Sequence, residues 1–163
     1  MFSLLEEQAA AVPMAGVTAL VAVRDAGRLQ RGQTVLIHGA SGGVGTFAVQ
    51  ITRALGGKVT ASCSPGAVEL VRSLGADEVI DYTRDDFAGG GRRYEVILDT
   101  AGNRSLSQLR RALAKRGTLV IVGGEGGGKE EEGKEGKERE VEGARLPLLA
   151  SGATAGRRSS AAG

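Results

Sequence analysis

The residues best placed to do chemistry form a glycine-rich segment, Ala40-Ser-Gly-Gly-Val-Gly45, between an apolar run and a helical pattern. Backbone N–H groups at such a turn bind phosphate together with the positive end of the helix dipole. In the pattern Ala40-x-Gly42-x-x-Gly45, alanine stands where the commonest fingerprint has its first glycine. Gly42 lets the backbone approach a pyrophosphate, and Gly45 lets the helix pack on the strand. The pattern predicts a dinucleotide site. The alternative is a tight turn without a ligand.

Two other classes of nucleotide site are excluded by the residues around this segment. A Walker loop requires Gly-Lys-Ser/Thr, whereas Gly45 precedes Thr46 and no lysine is near. A short-chain dehydrogenase requires a Tyr-x-x-x-Lys pair, and neither Tyr82 nor Tyr94 has a lysine four residues later. The segment therefore fits a dinucleotide fingerprint better than either rival.

The composition excludes further function classes. A chain of 163 residues can form one domain with a proper core. Its net charge of +2 and its 3% of aromatic residues do not indicate a nucleic-acid partner. One cysteine, Cys63, and one histidine, His38, are too few for a zinc site, so we expect no metal. We interpret His38 as a structural residue of the first strand. No signal segment or long apolar span is visible, so we expect a cytoplasmic protein with no membrane partner.

Short apolar runs alternate with helical patterns along the chain. Two helices, Ser3 to Ala11 and about Ala15 to Asp25, come before the first strand. A parallel sheet with helices on both faces follows from this alternation, so the predicted fold class is α/β, a doubly wound Rossmann fold. We divide the chain into N-terminal helices (1–32), a nucleotide-binding domain (33–125) and a tail (126–163). The predicted strands are 34–38, 58–62, 78–81, 94–99 and 118–122, and a predicted helix carrying Leu106, Leu109 and Leu113 precedes the last of them.

The tail differs sharply in composition from the domain. Its segment 129–142 is dense in lysine and glutamate and holds a single apolar residue. Such a segment cannot bury enough apolar surface to offset its ordering entropy, so we expect a low-complexity, disordered tail over 126–163. A partly helical segment and an acidic docking tail are the alternatives.

Five motifs follow one another along the chain: Val12-Pro-Met-Ala-Gly-Val-Thr-Ala19, Ala40-Ser-Gly-Gly-Val-Gly45, Leu74-Gly-Ala-Asp77, Val79-Ile-Asp-Tyr82 and Gly117-Thr-Leu-Val-Ile-Val-Gly123. Together they resemble the medium-chain dehydrogenase/reductase superfamily, and most closely its zinc-independent quinone oxidoreductase (zeta-crystallin-like) branch. The resemblance runs from about Leu4 to Gly128. It implies a catalytic GroES-like barrel before Ser3 and a sixth strand with a closing catalytic segment after Gly124, and this sequence matches neither. The chain thus looks like a cofactor domain separated from its chemistry.

The resemblance also implies a reaction and site residues. The reaction is hydride transfer from NADPH to a quinone or enone, and no catalytic residue is assigned. Thr18 matches a threonine that meets the nicotinamide carboxamide, with a bond to its own helix backbone as the alternative. Gly123 would pass under the nicotinamide ring, and Thr100 ends strand four beside the crevice. The pyrophosphate-binding set is Ser41, Gly42, Gly43 and Val44, with Gly45 completing the fingerprint.

The choice of cofactor can be argued from charge. Domains that bind NAD place a carboxylate about 20 residues after the glycines. In this sequence, residues 61–68 contain no carboxylate, and the first one is Glu69. This favours NADP(H), and it disfavours a Rossmann-like methyltransferase. Ser62 and Ser64 can donate to a 2′-phosphate, and Tyr82 matches a family tyrosine near it, but no lysine or arginine occupies 66–67. We therefore expect an NADP(H)-dependent oxidoreductase, with a homodimer as an option. The alternative is a non-catalytic nucleotide-binding module or inactive fragment.

Overall fold

The computed structural model describes residues 14–122 and the dipeptide Leu148–Leu149. A wholly parallel sheet forms the centre of the molecule, with strand order β3-β2-β1-β4-β5-β6. The predicted α/β doubly wound class is confirmed. The strands are β1 (Thr34–His38), β2 (Lys58–Cys63), β3 (Glu78–Asp81), β4 (Tyr94–Asp99), β5 (Leu113–Val122) and the two-residue β6 (Leu148–Leu149).

Strand β1 lies at the middle of the sheet because its residues are apolar on both faces. Val35 pairs with Val59 of β2 on one side and with Val96 of β4 on the other. Leu36 and Ile37 are fully buried. Helices cover both faces of a parallel sheet, which is why such a strand carries a continuous apolar run.

The helices have the positions that the apolar periodicity predicts. Residues 14–20 are helical, and this first helix (α1) continues into a π-helical turn, Val21–Ala26. The predicted helix from Ser3 to Ala11 lies outside the described residues. Short 3-10 turns occupy Pro65–Ala67 and Gly89–Gly91. The remaining helices are α2 (Gly43–Ala54), α3 (Val68–Ser73) and α4 (Leu106–Ala112).

The junction between α4 and β5 differs from the sequence prediction. Ser105 caps α4 through a capping box with Gln108, but the helix ends at Ala112. Leu113, predicted to be helical, instead pairs with Tyr94 as the first residue of β5. The pairing between β4 and β5 shifts register after Tyr94. From Thr118 onward, β5 coincides with the strand that the sequence predicts. The predicted helix is therefore one residue too long. Leu113 has helical spacing from Leu109, but it packs into the same core from a strand.

Two apolar clusters flank the sheet. One lies beneath α1, α2 and α3 and includes Ala19, Val49 and Val71. The other is centred on Phe87 and Leu109 on the opposite face. These cores hold the carboxyl ends of the strands in fixed positions.

The predicted tail is described only at Leu148–Leu149. These residues pair in parallel with Ile121 and Val122, so a short strand occupies the edge where we expected no sixth strand. The rest of the predicted disordered segment, and its boundary at 126, lies outside the described residues. Within residues 14–122, no helix is both long and apolar enough to cross a membrane.

Candidate functional site

A crevice is expected where the direction of winding reverses in the sheet. The chain passes from β1 to β2 on one side, and β4 lies against the other side of β1. In open α/β sheets, ligands bind outside the carboxyl ends of the strands at this point. Here β1 ends at His38, β2 at Cys63 and β4 at Asp99.

The glycine-rich loop leaves β1 through a turn that only glycine accommodates easily. Gly39 has a φ of +84°, and a Cβ there would lie 2.6 Å from Thr100 Oγ1. Its N–H and that of Ala40 donate to the Ser62 carbonyl at 3.0 and 3.1 Å. The tight turn that the fingerprint assigns to its first glycine therefore falls on Gly39, one residue before the alanine.

The loop presents backbone donors at the start of α2. Helix α2 begins at Gly43, and the first N–H groups of any helix have no partner within it. Among the described residues, no hydrogen bond engages the N–H groups of Ser41, Gly43 or Val44. The Gly42 N–H differs, because it donates to the Gly39 carbonyl at 3.1 Å. Three of the four predicted pyrophosphate residues thus offer free donors.

Gly42 and Gly45 act through their missing side chains. A Cβ on Gly42 would meet only the Gly39 carbonyl oxygen, at 3.5 Å, so the space beside it is open. A Cβ on Gly45 would lie 2.8 Å from Ala40 Cα and closer still to the Gly39 carbonyl oxygen. Gly42 therefore leaves room for a ligand, whereas Gly45 permits the contact between α2 and the end of β1.

The three residues predicted around a 2′-phosphate have different surroundings. Ser64 is half-buried just after β2, and Tyr82 is 36% exposed just after β3. Ser62 is fully buried, and its Oγ lies 3.2 Å from His38 Nδ1. A side chain with no exposed surface cannot contact a phosphate, so the predicted role of Ser62 is not supported and we leave it out of the proposed site.

The interpretation of His38 as a structural residue agrees with its contacts. It is fully buried, and its Nε2 lies 2.7 Å from Asn103 Oδ1. The tautomer with a proton on Nε2 satisfies both contacts, since Nδ1 can then accept from the Ser62 hydroxyl. His38 thereby joins the end of β1 to the end of β2 and to the loop after β4.

The loop after β4 is also tied to the glycine-rich loop. The Thr100 hydroxyl lies 2.9 Å from the His38 carbonyl oxygen and 3.0 Å from that of Gly39. The buried Asp99 carboxylate accepts from the N–H groups of Ala101 and Gly102. Thr100 therefore has a positioning role in this conformation, and its predicted contact with a cofactor stays a prediction.

Sequence reasoning missed Arg104. Its guanidinium lies 5.7 Å from the centre of the buried Phe87 ring, which itself lies 5.3 Å from the His38 ring. The Tyr82 ring lies 6.3 Å from the His38 ring. Ring contacts thus connect Arg104, in the loop after β4, to Tyr82 through Phe87 and His38. Neither its spacing nor a motif indicated this position.

Two of the remaining predicted residues contribute less. Thr18 is half-buried in α1, next to the fully buried Ala19, and its predicted contact with a nicotinamide stays a prediction. Gly123 lies outside the described residues.

Two ionisable groups near the crevice have shifted pKa values. Hydrogen bonds from the Thr83 hydroxyl and N–H lower the pKa of Asp81, so its carboxylate is charged at neutral pH. Arg84 Nε lies 3.9 Å from this carboxylate and partly offsets its charge. Burial, and secondarily the Asp81 charge, raises the pKa of the Cys63 thiol. Cys63 is therefore a poor nucleophile at neutral pH.

The described residues offer no zinc site. In residues 14–122, His, Cys, Asp and Glu side chains nowhere gather in a group of three or more that could hold a metal ion. We accordingly assign no step to zinc.

Comparisons with known proteins agree with this geometry. The profile of the family described as "Zinc-binding dehydrogenase" matches residues 43–148. NAD(P)H oxidoreductase RTN4IP1, mitochondrial, from Mus musculus is 48% identical over 107 residues, which cover 61% of this chain and 27% of that protein. Quinone oxidoreductase from Pseudomonas aeruginosa is 37% identical over 128 residues, covering 74% of this chain and 39% of the relative.

A solved structure is similar as well. Mycobacterial Rv1454c complexed with NADPH superposes with a TM-score of 0.67 at 32% identity, over 74% of this chain and 39% of that one. The present chain thus spans between about a quarter and two-fifths of the length of these proteins.

Proposed function

This chain belongs to the zinc-binding dehydrogenase family of medium-chain dehydrogenases/reductases, and on that premise we propose that it is the NADP(H)-binding domain of a quinone or enone reductase. The observation that carries the proposal is the set of free backbone N–H groups at Ser41, Gly43 and Val44, beside the open space at Gly42. Together they form a cradle that fits a pyrophosphate.

Each part of the loop has a distinct role in holding the cofactor. The N–H groups bind the pyrophosphate oxygens, and the dipole of α2 favours their negative charge. Gly39 and Thr100 fix the loop in place before any ligand arrives. When bound, NADPH supplies the hydride, and the protein supplies binding and orientation.

The proposed preference for NADPH rests on the absence of a carboxylate just after β2. No carboxylate follows β2 before Glu69, whose side chain pairs with Arg72 at 2.6 Å. Ser64 and Tyr82 supply hydroxyl donors. A 2′-phosphate would therefore find hydrogen-bond donors at the position where an NAD-binding domain has a carboxylate.

We expect the purified chain to bind NADPH about tenfold more tightly than NADH, since one or two hydrogen bonds to a charged phosphate contribute on this order. Isothermal titration calorimetry with each nucleotide measures the ratio. The variant Tyr82→Phe, which loses one hydroxyl donor, should lower NADPH affinity and leave NADH affinity unchanged. Equal affinities for the two nucleotides in the wild-type chain would contradict the argument from charge.

A second candidate function is a nucleotide-binding module without catalysis. It is favoured by the site itself, because the described residues supply backbone donors for a phosphate and we assign none of them to the hydride-transfer step. Turnover of 9,10-phenanthrenequinone with NADPH separates the two functions. Measurable turnover by this chain alone supports the reductase, and tight NADPH binding without turnover supports the module.

A further inference from the structure

A second cleft opens at the end of the sheet opposite the cofactor crevice. Its volume is about 220 Å³. It lies beside Gln33, which precedes β1, and beside Glu95 near the start of β4. The cofactor crevice lies at the carboxyl ends of the same strands, so the two sites are separate.

Three cations line this cleft: Arg28, Lys115 and Arg116. All three are exposed, and within the described part of the chain none lies within 4.0 Å of a carboxylate. The single lining carboxylate, Glu95, accepts hydrogen bonds from the N–H and hydroxyl of Thr34, at 2.8 and 3.4 Å. The cleft is therefore positively charged, and its cations are available to a ligand.

The backbone holds two of these cations at a conformational cost. Arg28 has a φ of 49° and Arg116 a φ of 66°, and in residues 14–122 no other non-glycine residue has a positive φ. Left-handed backbone is unfavourable for residues that carry a Cβ. Such residues persist where the surrounding structure imposes them, and they concentrate at ligand sites.

The neighbouring glycines show why the strain falls on the arginines. A Cβ on Gly27 would lie 2.9 Å from the Val23 carbonyl oxygen, and one on Gly117 would lie 2.8 Å from Leu113 Cδ1. Each glycine is therefore needed for close packing, and the left-handed residue is the arginine next to it. Both arginines line the same cleft.

We propose that this cleft binds a small phosphate-bearing anion through Arg28, Lys115 and Arg116. Guanidinium groups bind phosphate oxygens with paired hydrogen bonds, and lysine adds a point charge. The volume is below the roughly 300 Å³ at which pockets for larger ligands begin, so the ligand is an inorganic phosphate or a compact phosphate monoester. The proposal does not depend on the one for NADPH.

Calorimetric titration of the full chain with inorganic phosphate, at constant ionic strength set by sodium chloride, tests the site. Arg116→Gly should weaken phosphate binding about tenfold, the effect of losing one charged hydrogen-bond partner. Its melting temperature should not fall, because glycine adopts the left-handed conformation readily. Loss of binding in this variant therefore cannot be attributed to unfolding.

Two further variants complete the test. Arg84→Gln removes an exposed arginine that follows β3, at the end of the sheet opposite the cleft, and should bind phosphate like the wild type. Gly42→Val alters the cofactor loop and should also keep phosphate binding, which separates this site from the pyrophosphate cradle. Competition by phenyl phosphate would assign the cleft to monoesters, and its absence would assign it to free phosphate. No binding by the wild type, or equal affinity in Arg116→Gly, overturns the proposal.

Discussion

Gly45→Ala should lower the free energy of unfolding by about 3 kcal/mol, at the upper end of what overpacking costs. The added methyl group would lie 2.8 Å from Ala40 Cα and closer still to the Gly39 carbonyl oxygen. Both obstacles are backbone atoms, so no side-chain rotation relieves the contact. Either α2 moves away from β1 or the turn at Gly39 deforms. Urea denaturation monitored by circular dichroism measures the loss.

Gly43→Ala is the matched control for this effect. It lies two residues away on the same helix, and a Cβ there would meet nothing within 4 Å. Since alanine is the better helix former by up to about 1 kcal/mol, this variant should be as stable as the wild type or more so. If both variants unfold at the same urea concentration, the close contact at Gly45 does not govern the packing of α2.

Gly42→Val should reduce NADPH affinity at least about a hundredfold while the fold is retained. The residue has φ −75° and ψ 171°, extended values that valine adopts without strain. A valine side chain would fill the space through which a pyrophosphate must approach to reach donors at roughly 3 Å. Losing two hydrogen bonds to a charged group accounts for the size of the effect. Nucleotide titration gives the affinity, and a thermal melt reports the fold.

Ala54→Val provides the comparison for this second variant. Ala54 is exposed at the far end of α2, so the same side chain is introduced into the same helix away from the crevice. Its NADPH affinity should equal that of the wild type. Unchanged affinity in a folded Gly42→Val protein would show that the glycine-rich segment is only a turn.

Local patterns in the sequence were enough to predict the architecture. Buried parallel strands require continuous apolar runs such as Val35-Leu36-Ile37, and short crossovers then leave only a doubly wound sheet. The turn of the glycine-rich loop was predictable for the same reason, because its geometry depends on backbone and spacing. One prediction of this local kind was wrong. Leu113 was assigned to a helix, since an apolar residue at helical spacing can equally pack from a strand.

Only the tertiary structure decided which side chains are available at the sites. Ser62 lies where a phosphate donor was expected, yet it is buried against His38, 24 residues away in the sequence. Arg104 packs over the Phe87 ring, and Arg28 and Arg116 line one cleft although 88 positions separate them. The periodicity of apolar residues predicts which face of its own helix or strand a residue occupies. Contacts between residues distant in the chain depend on how the elements pack, and no local pattern contains that information.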